Sequence, residues 1–96
     1  VTRRALAAQA GGLDGVVCPA RAAKAVHARL GDGFDLLVPG IRPAGTQKGD
    51  QHWVATPATA LAAGARWLVV GRPIHAADDP ATSAVSICEQ IQAAMV

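Results

Sequence analysis

The sequence is poor in aromatic residues and has no cluster of basic ones. Its 96 residues include one Phe, two Trp and no Tyr, and the nine Lys and Arg are scattered over predicted loops and helix faces. Proteins that bind single strands stack bases on aromatic side chains, and proteins that bind duplexes gather basic residues against the phosphates. The composition therefore argues against nucleic acid as the main partner.

Cysteines and long apolar runs are also scarce. Cys18 ends an apolar run and Cys88 lies in a predicted helix, so we interpret both as small buried residues in a reducing compartment, without a disulfide. No apolar stretch reaches the length of a membrane span, and the first residues lack the apolar core of a signal peptide. These features predict a cytoplasmic protein with no membrane contact. The chain begins with Val1 instead of Met, which favours a piece of a longer protein.

What remains is the pattern of a small globular domain with 51% hydrophobic residues, in which helices and strands alternate. Strands are predicted over residues 15–18, 35–38 and 67–70, and helices over residues 2–10, 19–30, 57–63 and 80–95. Thr2 and Thr56 are predicted N-caps, and Asp78 and Asp79 are interpreted as the acidic start of the last helix and not as paired catalytic carboxylates. The last helix carries an apolar stripe that includes Ile87, Cys88, Ile91 and Met95.

This alternation predicts an α/β fold with parallel strands and helical crossovers. The run over residues 67–70 reads as a strand buried on both faces. Three such strands leave two unpaired edges, so we expect further strands from elsewhere, closing into a (β/α)8 TIM barrel. Residues 1–96 would then be one portion of a single barrel domain.

The carboxyl ends of the strands are where such a fold places its ligands. Gly71-Arg72 directly follows the third apolar run, and glycine there lets an anion approach the backbone closely. A loop of about a dozen residues, 40–51, follows the second strand and is long for a strand-to-helix connection, which favours a binding role. The sequence therefore predicts a phosphate site at this edge.

Three segments resemble one family. They are residues 12–18 (Gly-Leu-Asp-Gly-Val-Val-Cys), residues 38–43 (Val-Pro-Gly-Ile-Arg-Pro) with Gly-Asp-Gln at 49–51, and residues 69–74 (Val-Val-Gly-Arg-Pro-Ile). In order and spacing they are similar to the carboxyl-terminal portion of bacterial orotidine 5′-phosphate decarboxylase. The resemblance implies that these strands are the sixth, seventh and eighth of the barrel. It also implies a homodimer and a reaction, orotidine monophosphate to uridine monophosphate and carbon dioxide, that uses no metal or organic cofactor.

Carried over residue by residue, the resemblance gives five substrate-binding positions. Arg42 and Arg72 resemble the two arginines that meet the phosphate, and Gly71 offers a backbone N–H to the same group. Gln51 resembles the loop glutamine that closes over the nucleotide, and Pro39 resembles a proline beside the base. The family's catalytic Asp-x-Lys-x-x-Asp arrangement does not occur in this sequence, so we expect no catalytic residue in this chain and no activity from it alone.

Some positions depart from the family, and other functions stay open. Val38 stands where relatives often carry Thr or Ser, Pro19 replaces a small polar residue, and His52-Trp53 follows Gln51 where a basic residue is common. The alternatives are a related phosphosugar barrel such as hexulose-phosphate synthase, and a non-catalytic partial barrel that associates with itself through its open strand edges. The Cys and His residues do not have zinc-site spacing, so we expect no metal site.

Overall fold

In the residues that the structure describes, the fold is a three-stranded parallel sheet with helices packed on one face. The computed structural model describes residues 1–43 and 55–95. In chain order its elements are α1 (Thr2–Ala10), β1 (Gly15–Val17), α2 (Ala20–Leu30), β2 (Asp35–Val38), α3 (Pro57–Ala62), β3 (Trp67–Leu68), α4 (Arg72–His75) and α5 (Pro80–Met95). The predicted alternation of helices and strands is confirmed, and α4 is the one element of this set that the sequence pattern missed.

The strands lie in chain order, β1-β2-β3, and both pairs are parallel. Gly15 pairs with Asp35 in the first ladder, and Leu37 pairs with Trp67 in the second. Consecutive parallel strands need a crossover between them, and α2 and α3 provide it. The predicted parallel α/β topology is therefore confirmed, with the carboxyl ends of all three strands at one edge.

The core lies between the sheet and the first three helices. Leu36 and Val38 of β2 are 1% and 0% exposed, and they pack in one cluster with Ala5 of α1, Val26 of α2 and Ala60 of α3. Burying a side chain of this size stabilises the folded state by about 1.5–3 kcal/mol, so Leu36 and Val38 each contribute more than the alanines of this core.

The other face of the sheet is open, which corrects the prediction that residues 67–70 are buried on both faces. Val17, Trp67 and Val69 are 66%, 57% and 44% exposed. The ladder sets Val17 beside Leu37 and Leu37 beside Trp67, so these side chains share one face of the sheet. Within the described residues the helices cover only the opposite face. An apolar run alone does not distinguish one covered face from two.

The helix ends agree with the sequence in part. Thr56 caps α3 through a reciprocal arrangement, in which its hydroxyl accepts from the N–H of Thr59 at 3.2 Å and the Thr59 hydroxyl accepts from the N–H of Thr56 at 2.9 Å. The predicted N-cap at Thr2 is wrong, because Thr2 is already helical and Val1 occupies the cap position without a side-chain hydrogen bond.

The last helix buries less of its stripe than the pattern predicts. α5 packs against α3 and α4, and Ile87 is 3% exposed, whereas Met95 is 73% exposed and Cys88 is exposed. The prediction that Cys88 is buried is therefore wrong, because the contact covers a narrower strip of the helix than its apolar periodicity suggests. No helix in the described ranges combines the length and apolar character needed to cross a bilayer.

Candidate functional site at the carboxyl ends of the strands

The chain that leaves β2 turns back against the end of β3. Gly40 has φ of 73°, a conformation that residues with a Cβ adopt only at a cost, so this turn depends on glycine. Ile41 then enters the core, where it is 1% exposed, and its N–H donates to the carbonyl of Val69 at 3.3 Å. The residue that follows Ile41 is therefore held next to the carboxyl end of β3.

That residue is Arg42, and its own backbone is also bonded. Its N–H donates to the carbonyl of Ala55 at 2.8 Å, and Ile41 forms an isolated parallel bridge with Ala55. The side chain of Arg42 is half-buried. With the backbone fixed on both sides, the guanidinium is the part of this residue that can adjust to a ligand.

The end of β3 leads directly into a short helical turn. Val70 is half-buried against the core, and the carbonyl of Gly71 accepts hydrogen bonds from the N–H groups of Ile74 at 2.9 Å and His75 at 3.1 Å. Arg72 is exposed at the start of α4. A Cβ on Gly71 would meet only the Nε2 of His75, at 3.9 Å, apart from its chain neighbours in the described residues. Among the described residues, the space above Gly71 is therefore bordered by His75 and otherwise left open.

The two arginines bring positive charge to this edge, and no carboxylate of the described residues forms an ion pair with either of them. In the ranges 1–43 and 55–95 the ion pairs are His27 with Asp32 and Arg66 with Asp35, and neither includes Arg42 or Arg72. Both arginines follow the ends of adjacent parallel strands. Guanidinium groups match the oxygens of phosphate bidentately, so the arrangement can bind a phosphate group.

The remaining predicted positions are placed in part. Pro39 is exposed between Val38 and the turn at Gly40, at the same edge as Arg42 and Arg72. Gln51 lies outside the described residues, as do His52 and Trp53. The structure thus brings Pro39, Arg42, Gly71 and Arg72 to one edge of the sheet, and Gln51 is assigned from its sequence alone.

A polar cluster at the opposite edge was not anticipated from the sequence. The carboxylate of Asp35, at the start of β2, accepts a hydrogen bond from the indole N–H of Trp67 at 3.3 Å and pairs with the Nε of Arg66 at 3.6 Å. It links the amino ends of β2 and β3 across the open face. The sequence signal that could have predicted this cluster is a charged residue directly before each of two apolar runs, namely Asp35 and Arg66. These contacts of Asp35 hold β2 and β3 in register, which is a structural role. The carboxyl ends of the strands, where barrel folds bind their ligands, therefore stay the candidate binding edge.

Two titratable residues away from this edge, Cys18 and Asp79, have structural explanations. Burial raises the pKa of the Cys18 thiol, which keeps it in the less reactive protonated form. The Thr82 hydroxyl and backbone N–H donate to Asp79 and lower the pKa of its carboxyl, which supports the predicted capping role. No group of three metal-ligating side chains occurs in the part of the chain that the structure describes.

Three consecutive parallel strand-helix units, with an open sheet face and cationic loops at the carboxyl ends of the strands, define a portion of a (β/α)-barrel protein. The chain belongs to the orotidine 5′-phosphate decarboxylase / HUMPS family, whose pattern it matches over residues 1–87. The family resemblance stated from the sequence motifs is thereby confirmed.

Individual relatives agree with this assignment. The chain is 55% identical over 94 residues to an orotidine 5′-phosphate decarboxylase of Halorhodospira halophila and 54% identical to that of Afipia carboxidovorans, in both cases over 98% of this chain. The match spans 40% of each relative, so the chain covers well under half of their length.

Solved structures place the fold in the same family of barrels. The crystal structure of orotidine 5′-phosphate decarboxylase from Lactobacillus acidophilus superposes with a TM-score of 0.79 and 36% identity, over 95% of this chain and 36% of that one. The enzyme from Pyrococcus horikoshii gives a TM-score of 0.73 and 30% identity, over 95% of this chain and 41% of that one. The predicted fold, about three units of a TIM barrel, is confirmed.

Proposed function

We propose that this chain is the phosphate-binding portion of an orotidine 5′-phosphate decarboxylase, a carboxy-lyase of pyrimidine biosynthesis. The observation that carries the proposal is the hydrogen bond from Ile41 to Val69, which holds Arg42 beside the strand end that leads to Gly71 and Arg72. Two arginines on adjacent loops suit a nucleotide monophosphate, whose phosphate is a compact dianion with oxygens on every side. Three relatives that are 50–55% identical to this chain over the matched residues are each named orotidine 5′-phosphate decarboxylase.

In this proposal the site binds and orients the substrate and leaves the bond-breaking chemistry to other residues. Arg42 and Arg72 hold the phosphate, Gly71 donates its backbone N–H, Pro39 lies near the base, and Gln51 closes over the ligand from the loop. Energy gained by binding a remote phosphate can be used to position the reacting part of a substrate. The general acid lysine and its aspartates come from a segment with the Asp-x-Lys-x-x-Asp arrangement, which this chain lacks.

The open face of the sheet supports a further part of the proposal, the partner. Three exposed apolar side chains, Val17, Trp67 and Val69, fit the missing strands of a barrel. So do the outer edges of β1 and β3, which pair with no other strand of the described residues. The matched relatives extend well beyond the matched 94 residues, which is length enough for five more strand-helix units. We therefore propose that residues 1–96 are one portion of a single barrel domain. The completed cytoplasmic protein is proposed to form a homodimer.

A chimera tests the assignment. This chain replaces the matching 94 residues of the Halorhodospira halophila protein, which supplies the rest of the barrel. We expect the chimera to release carbon dioxide from orotidine monophosphate, and this chain alone to release none. A folded chimera, verified by circular dichroism and size-exclusion chromatography, that leaves orotidine monophosphate intact would contradict the assignment. Aldol activity on a hexulose phosphate would instead support the other branch of the family.

Single substitutions in the chimera test the phosphate site. Removing hydrogen bonds to a charged group costs about 1.5–3 kcal/mol, so Arg72→Ala should weaken binding of uridine monophosphate by that amount and leave binding of uridine, which has no phosphate, nearly unchanged. The matched control is Arg29→Ala, an exposed arginine in the last turn of α2. Titration calorimetry measures both. Equal losses for the two ligands, or for the two variants, would refute the role of Arg72.

The isolated chain offers a simpler test of the open face. Size-exclusion chromatography should show association of the 9.7 kDa chain with itself or with the remaining barrel segment supplied separately. A compact monomer that does not bind the remaining barrel segment would contradict the proposal that this segment completes the sheet. Association with itself alone, together with an inactive chimera, would favour the non-catalytic partial barrel.

A further inference from the structure

One side chain at the carboxyl edge is not accounted for by the five proposed substrate-binding residues. His75 ends the helical turn that begins after Gly71, and its N–H donates to the Gly71 carbonyl at 3.1 Å. This turn folds the imidazole back toward the glycine, so that Nε2 lies 3.9 Å from the position a Cβ on Gly71 would occupy. Apart from the chain neighbours of Gly71, no other heavy atom of the described chain lies within 4 Å of that position. Of the described side chains beyond the chain neighbours of Gly71, the imidazole of His75 is therefore the one that borders this space.

The chemistry of that position suits an oxygen atom of a ligand. The Cβ position lies 3.9 Å from Nε2, about 1 Å more than a typical N–H···O length of about 2.9 Å. A ligand oxygen that lies farther out above Gly71, on the side of His75, is therefore within reach of a hydrogen bond from Nε2. Neutral imidazole can donate through Nε2, and the protonated ring adds a positive charge. Both Gly71 and His75 are exposed, so a ligand can reach them.

The imidazole of His75 is not held elsewhere by any residue that the structure describes. Among the hydrogen bonds and ion pairs of residues 1–43 and 55–95, the His75 side chain takes part in none, whereas the other described histidine, His27, is paired with Asp32 at 3.0 Å. The backbone of His75, in contrast, is fixed in the turn. A fixed backbone with an unengaged side chain at the rim of a binding space is the arrangement expected of a ligand contact.

We propose that His75 is a third phosphate-binding side chain, which donates through Nε2 to the phosphate oxygen that lies over Gly71. The inference rests on the proposed function and refines it. Arg42 approaches from the loop after β2, and Arg72 and His75 approach from the turn after β3. Together the three surround a phosphomonoester from two adjacent loops, and His75 acts as a binding residue with no part in proton transfer to the substrate carbon.

The test uses the chimera with its intact site as reference. His75→Ala should weaken binding of uridine monophosphate roughly 10- to 150-fold, the range for a hydrogen bond to a charged group, and should leave uridine binding unchanged. His75→Gln, which keeps an N–H donor near the same place, should restore at least half of that loss on a logarithmic scale. The matched control is His27→Gln, which removes the histidine paired with Asp32 at the far edge and should leave both affinities unchanged.

The outcomes separate this inference from the function on which it rests. If the reference chimera binds no uridine monophosphate, the proposed function and the His75 contact both fail. If it binds and Arg72→Ala weakens binding while His75→Ala does not, the function stands and the His75 contact is refuted. Equal losses for uridine and its monophosphate, or no recovery with His75→Gln, would assign His75 a structural role and overturn the proposal. Melting temperatures of all variants distinguish lost binding from lost folding.

Discussion

Gly64→Ala should destabilise the chain more than an ordinary glycine substitution. The residue has a positive φ, and an added Cβ would also clash with His27. Gly64 follows the C-cap of α3 and has φ of 107°, where a residue with a Cβ costs about 1–2 kcal/mol. A Cβ there would also lie 2.6 Å from the Cβ of His27 and 2.8 Å from its Nδ1, closer than packed atoms approach. Overpacking of this kind costs about 1–3 kcal/mol, so the total is about 2–5 kcal/mol.

Gly12 is the matched control, because it also has a positive φ but has no close neighbour that a Cβ would contact. Its φ is 92°, and a Cβ there would meet no atom within 4 Å. Gly12→Ala should therefore cost about 1–2 kcal/mol, and the gain from a stiffer unfolded chain cancels between the two variants. Urea unfolding followed by circular dichroism gives both values, with equal m-values as the check that the unfolded states are comparable. Equal losses for Gly64→Ala and Gly12→Ala would refute the close contact between Gly64 and His27.

Two further predictions concern titratable groups. Hydrogen bonds from Thr82 lower the pKa of Asp79 in the folded state, so the stabilisation is present above the ordinary pKa near 4 and is lost as pH falls through the folded value. Urea midpoints measured from pH 6 to pH 3 should therefore fall less steeply for Asp79→Asn than for the unchanged chain, with Asp78→Asn as control; identical slopes would contradict this. For the thiols, a chromogenic disulfide reagent at pH 8 should label the exposed Cys88 rapidly and the buried Cys18 only on unfolding, and two rapid equivalents, or rapid labelling of Cys88→Ser, would contradict the burial of Cys18.

Local signals in the sequence predict the helices and strands because each depends on a few neighbouring residues. Thr56 with Pro57 marks the start of α3 through a hydroxyl cap and a fixed φ, and the structure confirms it. Thr2 has the same residue type, but it lies one residue inside α1 and Val1 occupies the cap position, so the residue type alone does not determine where a helix begins. The α4 turn was missed because Pro73 after Gly71-Arg72 reads equally well as a loop and as the first turn of a helix.

Burial was less predictable than helix and strand type, because it depends on what lies across from each face. Trp67 begins an apolar run that predicts burial on both sides, yet it is 57% exposed and its indole bonds to Asp35. Cys88 fits the apolar period of α5 and is nevertheless exposed. For the site, the sequence predicted Arg42 and Arg72 by resemblance, but the hydrogen bonds that place their loops side by side are non-local and required the structure.

The lengths of chain between the paired strands also affect how the carboxyl edge of the sheet folds and opens. Gly15 pairs with Asp35, twenty residues along the chain, whereas Leu37 pairs with Trp67, thirty residues along. Closing the longer loop costs about 0.4 kcal/mol more in chain entropy, and the second ladder has two paired positions against three in the first. The β1–β2 pair is thus favoured to form first and to separate last. Arg72 and His75 follow β3, the strand with the shorter ladder. Amide hydrogen exchange should therefore be faster for the backbone around Arg72 and His75 than for the β1–β2 pair.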